Sequence, residues 1–104
     1  MPEMTVTVRW PDGTRDDCYS PSLVMHDHLT AGTDYTVADF TDRATVALGE
    51  AAERVRARYG FACTSAMATA DHIRSRAEGF APDATVTVVA MHPPLPATVS
   101  RGTR

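Results

Sequence analysis

A chain of 104 residues with 13 Asp and Glu against 10 Arg, no Lys and a net charge of −3 has room for one small domain, which excludes most large enzyme scaffolds. The mildly acidic balance, with no basic block, argues against a nucleic-acid surface. No apolar stretch nears the ~20 residues that span a bilayer, and Met1-Pro2-Glu3-Met4 lacks the basic start and apolar core of a secretory signal, so a soluble cytoplasmic protein is expected.

The residues are 43% hydrophobic, yet 16 are Ala and only 18 are Val, Leu, Ile or Phe. At about 25 cal/mol per Å² of buried apolar surface, an Ala-rich interior stabilises less than a Leu-rich one, while ordering the chain costs as much. Such a thin core predicts a homodimer. Two cysteines, Cys18 and Cys63, form no disulfide framework and are expected as free thiols.

From Met4 to Trp10 apolar and polar residues alternate, which predicts a half-buried strand. Pro11-Asp12-Gly13-Thr14 then offers a turn with Gly available for a positive φ, so Arg15 to Ser20 is expected to return antiparallel as a hairpin. Past Pro21, the run Leu23 to Leu29 reads as a short third strand or an irregular edge. Apolar residues at Val37, Phe40, Ala44, Ala47, Leu48, Ala51, Val55 and Tyr59 keep the spacing of one helix face. Thr36 is placed to cap that helix and Gly60 to give it a left-handed exit.

A second helix is predicted from about Thr64 to Glu78, with Met67, Ala70, Ile73 and Ala77 as its stripe and Gly79 and Pro82 closing it. The link Gly60-Phe61-Ala62-Cys63 is short enough to make the two helices a hairpin. The β-branched run in Ala84 to Met91 predicts a strand that rejoins the sheet. The expected fold is α+β, an antiparallel sheet of three to four strands (N-terminal hairpin plus C-terminal strand) with a two-helix hairpin on one face. Residues 1–91 form that domain, and 92–104, with Pro93, Pro94 and Pro96, read as a flexible tail with a minor chance of docking in PxxP fashion.

Candidate chemistry is sparse. In an extended segment His26 and His28 point the same way and form a weak metal pair, with Asp16, Asp17 or His72 as third ligands, but no spacing requires one; no metal and no cofactor is expected. Cys63, before the second helix, is the best single nucleophile because free N–H groups lower a thiol pKa, although Phe61, Ala62 and Ala66 make a buried structural thiol the stronger reading. Cys18 is weaker, since Asp16 and Asp17 raise a neighbouring thiol's pKa. His72, beside Asp71, needs a third group across a cleft to act as an acid or base, and it is expected to face solvent. Arg54, Arg56 and Arg58 suit an anion but are already explained by the negative end of a helix.

The blocks Val8-Arg9-Trp10-Pro11-Asp12-Gly13, Cys18-Tyr19-Ser20-Pro21-Ser22-Leu23-Val24, Arg54 to Cys63 and Phe80-Ala81-Pro82-Asp83-Ala84 resemble a small bacterial family named for the nitrogen starvation response. The resemblance covers about residues 1 to 90. It implies genes encoded beside a nitrilase, a radical S-adenosylmethionine enzyme, an acetyltransferase, a synthase and a flavin-dependent oxidoreductase, in a cluster linked to nitrogen scavenging and cyanide assimilation. It carries no catalytic residue over, and His26 and His28 depart from it. A weaker likeness, at the level of fold rhythm, is to HicB-type antitoxins, and it too favours a homodimer.

The leading expectation is therefore a non-catalytic accessory or binding protein acting with an enzyme of that cluster or with a pathway intermediate. Two alternatives stand beside it. One is a small enzyme using Cys63 with Cys18, Tyr19 or His72; the other is a dimeric small-molecule sensor for nitrogen limitation.

Overall fold

The computed structural model describes residues 3–60 and 64–93. Strand β1 (Met4–Arg9) and strand β2 (Arg15–Ser20) form the predicted hairpin. Its loop is fixed locally: Gly13 N–H donates to Trp10 O (2.9 Å), Trp10 N–H donates to Thr14 O (2.8 Å), and Gly13 takes a φ of 89°. A residue with a Cβ would be strained there. Asp12 accepts from the Thr14 hydroxyl (2.6 Å) and backbone N–H (3.0 Å), which pins the turn from outside.

Leu23–Asp27 is a 3₁₀ turn, not the short strand or irregular edge expected. Ser22 caps it, its hydroxyl accepting from Val24 N–H (3.3 Å), and Val24 and Met25 drop into the core. The local cap and the two apolar anchors outweigh the β-type reading of Leu-Val-Met. Strand β3 (Thr33–Thr36) is an addition the residue pattern did not announce, because Thr-Asp-Tyr-Thr is too short and polar to show a strand period.

Helix α1 (Val37–Tyr59) begins and ends as the sequence dictates. Thr36 Oγ1 accepts from Asp39 N–H (3.0 Å), and Gly60, at φ 79°, donates to Arg56 O. Every predicted face residue is buried except Tyr59, 49% exposed. Helix α2 (Thr64–Ala77) matches its predicted span but buries Ala66, Ala70 and Ile73, while Met67 is 44% exposed. The spacing 66, 70, 73 is as helical as 67, 70, 73; the packing face selects the small Ala66 over the bulkier Met67. Strand β4 is Thr85–His92; residues 94–104 of the predicted tail lie outside the described residues.

The sheet order is β2-β1-β4-β3, all pairs antiparallel, with a register shift on β4 opposite Thr7/Val8. Met4, Val6, Val8, Val86 and Val88 point to the helices, which cover that one face and enclose Phe40, Leu48 and Ile73. Trp10, 1% exposed, is the largest buried side chain, set edge-on to Phe40 and stacked on Phe80 at 5.7 Å. The α+β architecture is as expected, and among the described residues nothing covers the other face of the sheet.

Candidate functional site

The hairpin and α2 meet in a charged cluster. Alternation along β2 sends Asp16 and Cys18 to the helix side, and the i, i+4 spacing of His72 and Arg76 sets both on one side of α2. Asp16 Oδ2 accepts from Trp10 Nε1 (3.0 Å), lies 2.7 Å from His72 Nε2 and 3.7 Å from Arg76 Nε. Arg76 spreads its guanidinium 5.4 Å from the Trp10 ring centre and 5.8 Å from that of Phe80. It also donates to Thr14 Oγ1 and reaches Asp12 at 3.9 Å. The two hydrogen bonds from Thr14, helped by Arg76, hold the Asp12 carboxyl below its usual range.

This cluster is not announced by any motif, although part of its signal lies in the sequence: Asp16 and Cys18 share one face of β2 by alternation, and His72 stands four residues before Arg76. His72 does not simply face solvent, as expected, but bonds to the sheet; its neighbour Asp71 turns outward to Arg74 (3.2 Å). The arrangement fastens helix to hairpin, since a carboxylate shared by an indole N–H, an imidazole and a guanidinium orients all three.

Cys18 is 2% exposed, and burial, followed by Asp16 and Asp17, pushes its thiol up to about 12. At neutral pH it stays protonated. Tyr19 lies on the opposite side of the sheet from Cys18 by strand alternation, with its hydroxyl 3.1 Å from Glu3 Oε1. Cys63 lies outside the described residues.

The weak metal candidates His26 and His28 are split. In the 3₁₀ turn, residues two apart diverge: His26 Nε2 is 2.8 Å from Pro93 O, whereas His28 Nε2 is 2.8 Å from Glu50 Oε1. Among the described residues no group of three or more His, Cys, Asp or Glu is disposed to hold a metal ion. Of the three arginines at the end of α1, Arg56 is taken by Glu53 (2.8 Å) and Arg58 lies over the Tyr59 ring. The Glu53 pairing raises the pKa of Arg56, and that of Glu53 falls in return.

Hollows among the described residues on the helix side are open to solvent. One, of about 690 Å³, runs along Asp27, His28, Val46, Glu50 and Arg54. Another, of about 450 Å³, lies between the start of α1 and the end of α2, against Thr41, Arg74 and Phe80. No helix among the described residues is long and apolar enough to cross a membrane.

Fold and cluster together define a small two-layer α+β protein in which helices cover one sheet face and a shared carboxylate fastens α2 to the hairpin. The family model described as nitrogen starvation-induced protein NitG matches residues 5–91, and the chain belongs to that family. No curated protein and no solved structure matches the chain.

Proposed function

We propose that this protein is a non-catalytic accessory of the nitrogen starvation response, which binds an enzyme of a nitrilase-linked scavenging cluster, or an intermediate of that pathway, as a cytoplasmic homodimer. The observation that carries this reading is the one-sided sheet: the inner strands present Thr5, Thr7, Thr85 and Thr87 on a face that also carries charged residues of the flanking strands, and no described element covers it. An uncovered sheet face of hydroxyls and charges suits a recognition surface better than a reaction chamber, which needs convergent groups in a concave, water-excluding site. The placement of Cys18 and Tyr19 on opposite sides of that sheet supports binding over thiol chemistry.

Co-expression of the tagged chain with each enzyme encoded beside it tests the reading. One of those enzymes is expected to elute with the chain in fixed stoichiometry on size exclusion. Elution of the chain apart from every one of them, with substrate turnover by the chain alone, would replace the accessory role by an enzymatic one. For that second reading, the specific observation is the His72–Asp16 pair, and loss of such turnover in His72→Gln would identify it.

A further inference from the structure

The uncovered sheet face holds an arrangement that structure alone does not justify. Arg9 and Arg15 are directly opposite one another on β1 and β2, and both are exposed. Trp10 and Thr14 next to them share a ladder hydrogen bond, so the alternation of an antiparallel pair makes Arg9/Arg15 the non-bonded kind, in which side chains stand closest. Like charges in that position destabilise a sheet. A carboxylate between them would relieve the repulsion, yet neither guanidinium has one: Arg43, Arg56, Arg74 and Arg76 each reach a carboxylate within 4.0 Å, whereas Arg9 and Arg15 reach none among the described residues.

The nearest acids on that face are already engaged. Asp17, two residues along β2 from Arg15, accepts from the Thr7 hydroxyl at 2.8 Å. Asp34 lies in the same cross-strand row, Asp34–Thr87–Arg9–Arg15, and accepts from the Thr87 hydroxyl at 2.6 Å. In a chain with 13 carboxylates against 10 arginines, these two adjacent guanidiniums stand side by side without an ion-pair partner among the described residues, and the acids that flank them spend a hydrogen bond on threonine hydroxyls instead.

We propose that Arg9 and Arg15 form a binding site for one compact, doubly charged oxyanion of the phosphate class, either phosphate itself or a phosphate monoester. Each guanidinium offers a planar fork of N–H donors, and two forks from adjacent strands can close on one tetrahedral oxyanion while cancelling the repulsion between them. The flanking Asp17 and Asp34 repel an extended polyanion, so the site favours a single dianion over a nucleic-acid backbone. The inference rests on the sheet's geometry and holds whether or not a cluster enzyme docks on the protein.

The test is titration of the full chain with inorganic phosphate and, separately, with glycerol 3-phosphate, at constant ionic strength kept with chloride. Binding is read by calorimetry and by the NMR shifts of the arginine Nε–H groups. Saturable shifts at Arg9 and Arg15 are expected, with affinity falling about tenfold or more in Arg9→Gln and in Arg15→Gln, as expected for loss of a charge-assisted hydrogen bond. Tighter binding of glycerol 3-phosphate identifies an ester as the source, and equal binding identifies phosphate. Arg54→Gln, on the helix side, leaves the affinity unchanged. Shifts that follow ionic strength alone, or phosphate binding that survives the double variant Arg9→Gln/Arg15→Gln, would overturn the proposal. Because the NMR readout uses the unaltered chain, a variant that failed to fold would not remove the test.

Discussion

Burial, followed by the charges of Asp16 and Asp17, pushes the Cys18 thiol up to about 12, whereas a cysteine in the unfolded chain ionises near ~8.5. Between those two values the unfolded chain has lost a proton that the folded chain keeps. Stability is therefore fully present below the lower value and falls as pH rises toward the upper one, by at most about 1.4 kcal/mol per pH unit from this group. Urea titrations from about pH 8 to about pH 11 should show a steeper decline in the natural chain than in Cys18→Ala. Equal slopes would mean that the thiol is not shielded. Asp16 yields a second expectation at this scale. Truncation to Ala strips the acceptor from the indole N–H of a buried Trp10 and should cost about 1–3 kcal/mol, the penalty of an unsatisfied donor. His72→Ala, which removes only a half-exposed partner (50% exposed), should cost under about 1 kcal/mol. Chemical denaturation of the two variants checks the order.

Among the elements, α1 was legible to its last residue because three independent signals agreed: a sustained apolar face, Thr36 as cap and Gly60 as exit. The 3₁₀ turn and β3 were not, since each is decided by contacts from elsewhere; Val24 and Met25 are held by the core, and β3 exists because β4 offers it a partner. The same distinction separates Ile73 from Met67 on α2. Ile73 is fully buried and Met67 is 44% exposed, so Ile73→Ala should cost about 2–5 kcal/mol and Met67→Ala about 0.5 kcal/mol or less. Comparable losses at the two positions would restore Met67 to the core stripe. The charged cluster was half legible, since the spacing of His72 and Arg76 could be read but the pairing of α2 with the hairpin could not.

For the molecule as a whole, valines and alanines dominate the core, with Met4, Met25, Met91, Leu29, Leu48, Ile73, Cys18 and two aromatics among them, and three large apolar side chains on the helices, Val46, Tyr59 and Met67, are 44–49% exposed. Both facts favour self-association, and light scattering over a hundredfold concentration range about the micromolar should give a mass that rises above that of one chain of 11.2 kDa. A constant monomer mass would contradict it. The buried core among the described residues runs from Met4 to Met91, and the Pro-rich sequence 94–104 shows no apolar periodicity, so its deletion should leave the melting temperature nearly unchanged; a loss above ~2 kcal/mol would place packed residues in that segment.

The order β2-β1-β4-β3 also sets a timetable for the nascent chain. The two inner strands, β1 and β4, meet with Thr5 opposite His92, so the first strand to leave the ribosome waits for the last before the sheet has a middle. Until then β3 has no neighbour, and β1 keeps one bare edge through the synthesis of both helices. Closing a pairing of such long sequence separation is slow, because its loop entropy is lost before the contact is gained. During that interval the hairpin edge is open to other chains, and the hydroxyl-rich composition of Met-Thr-Val-Thr-Val-Arg, ending in a cation, makes it a poorer template for aggregation than an all-apolar strand of the same length.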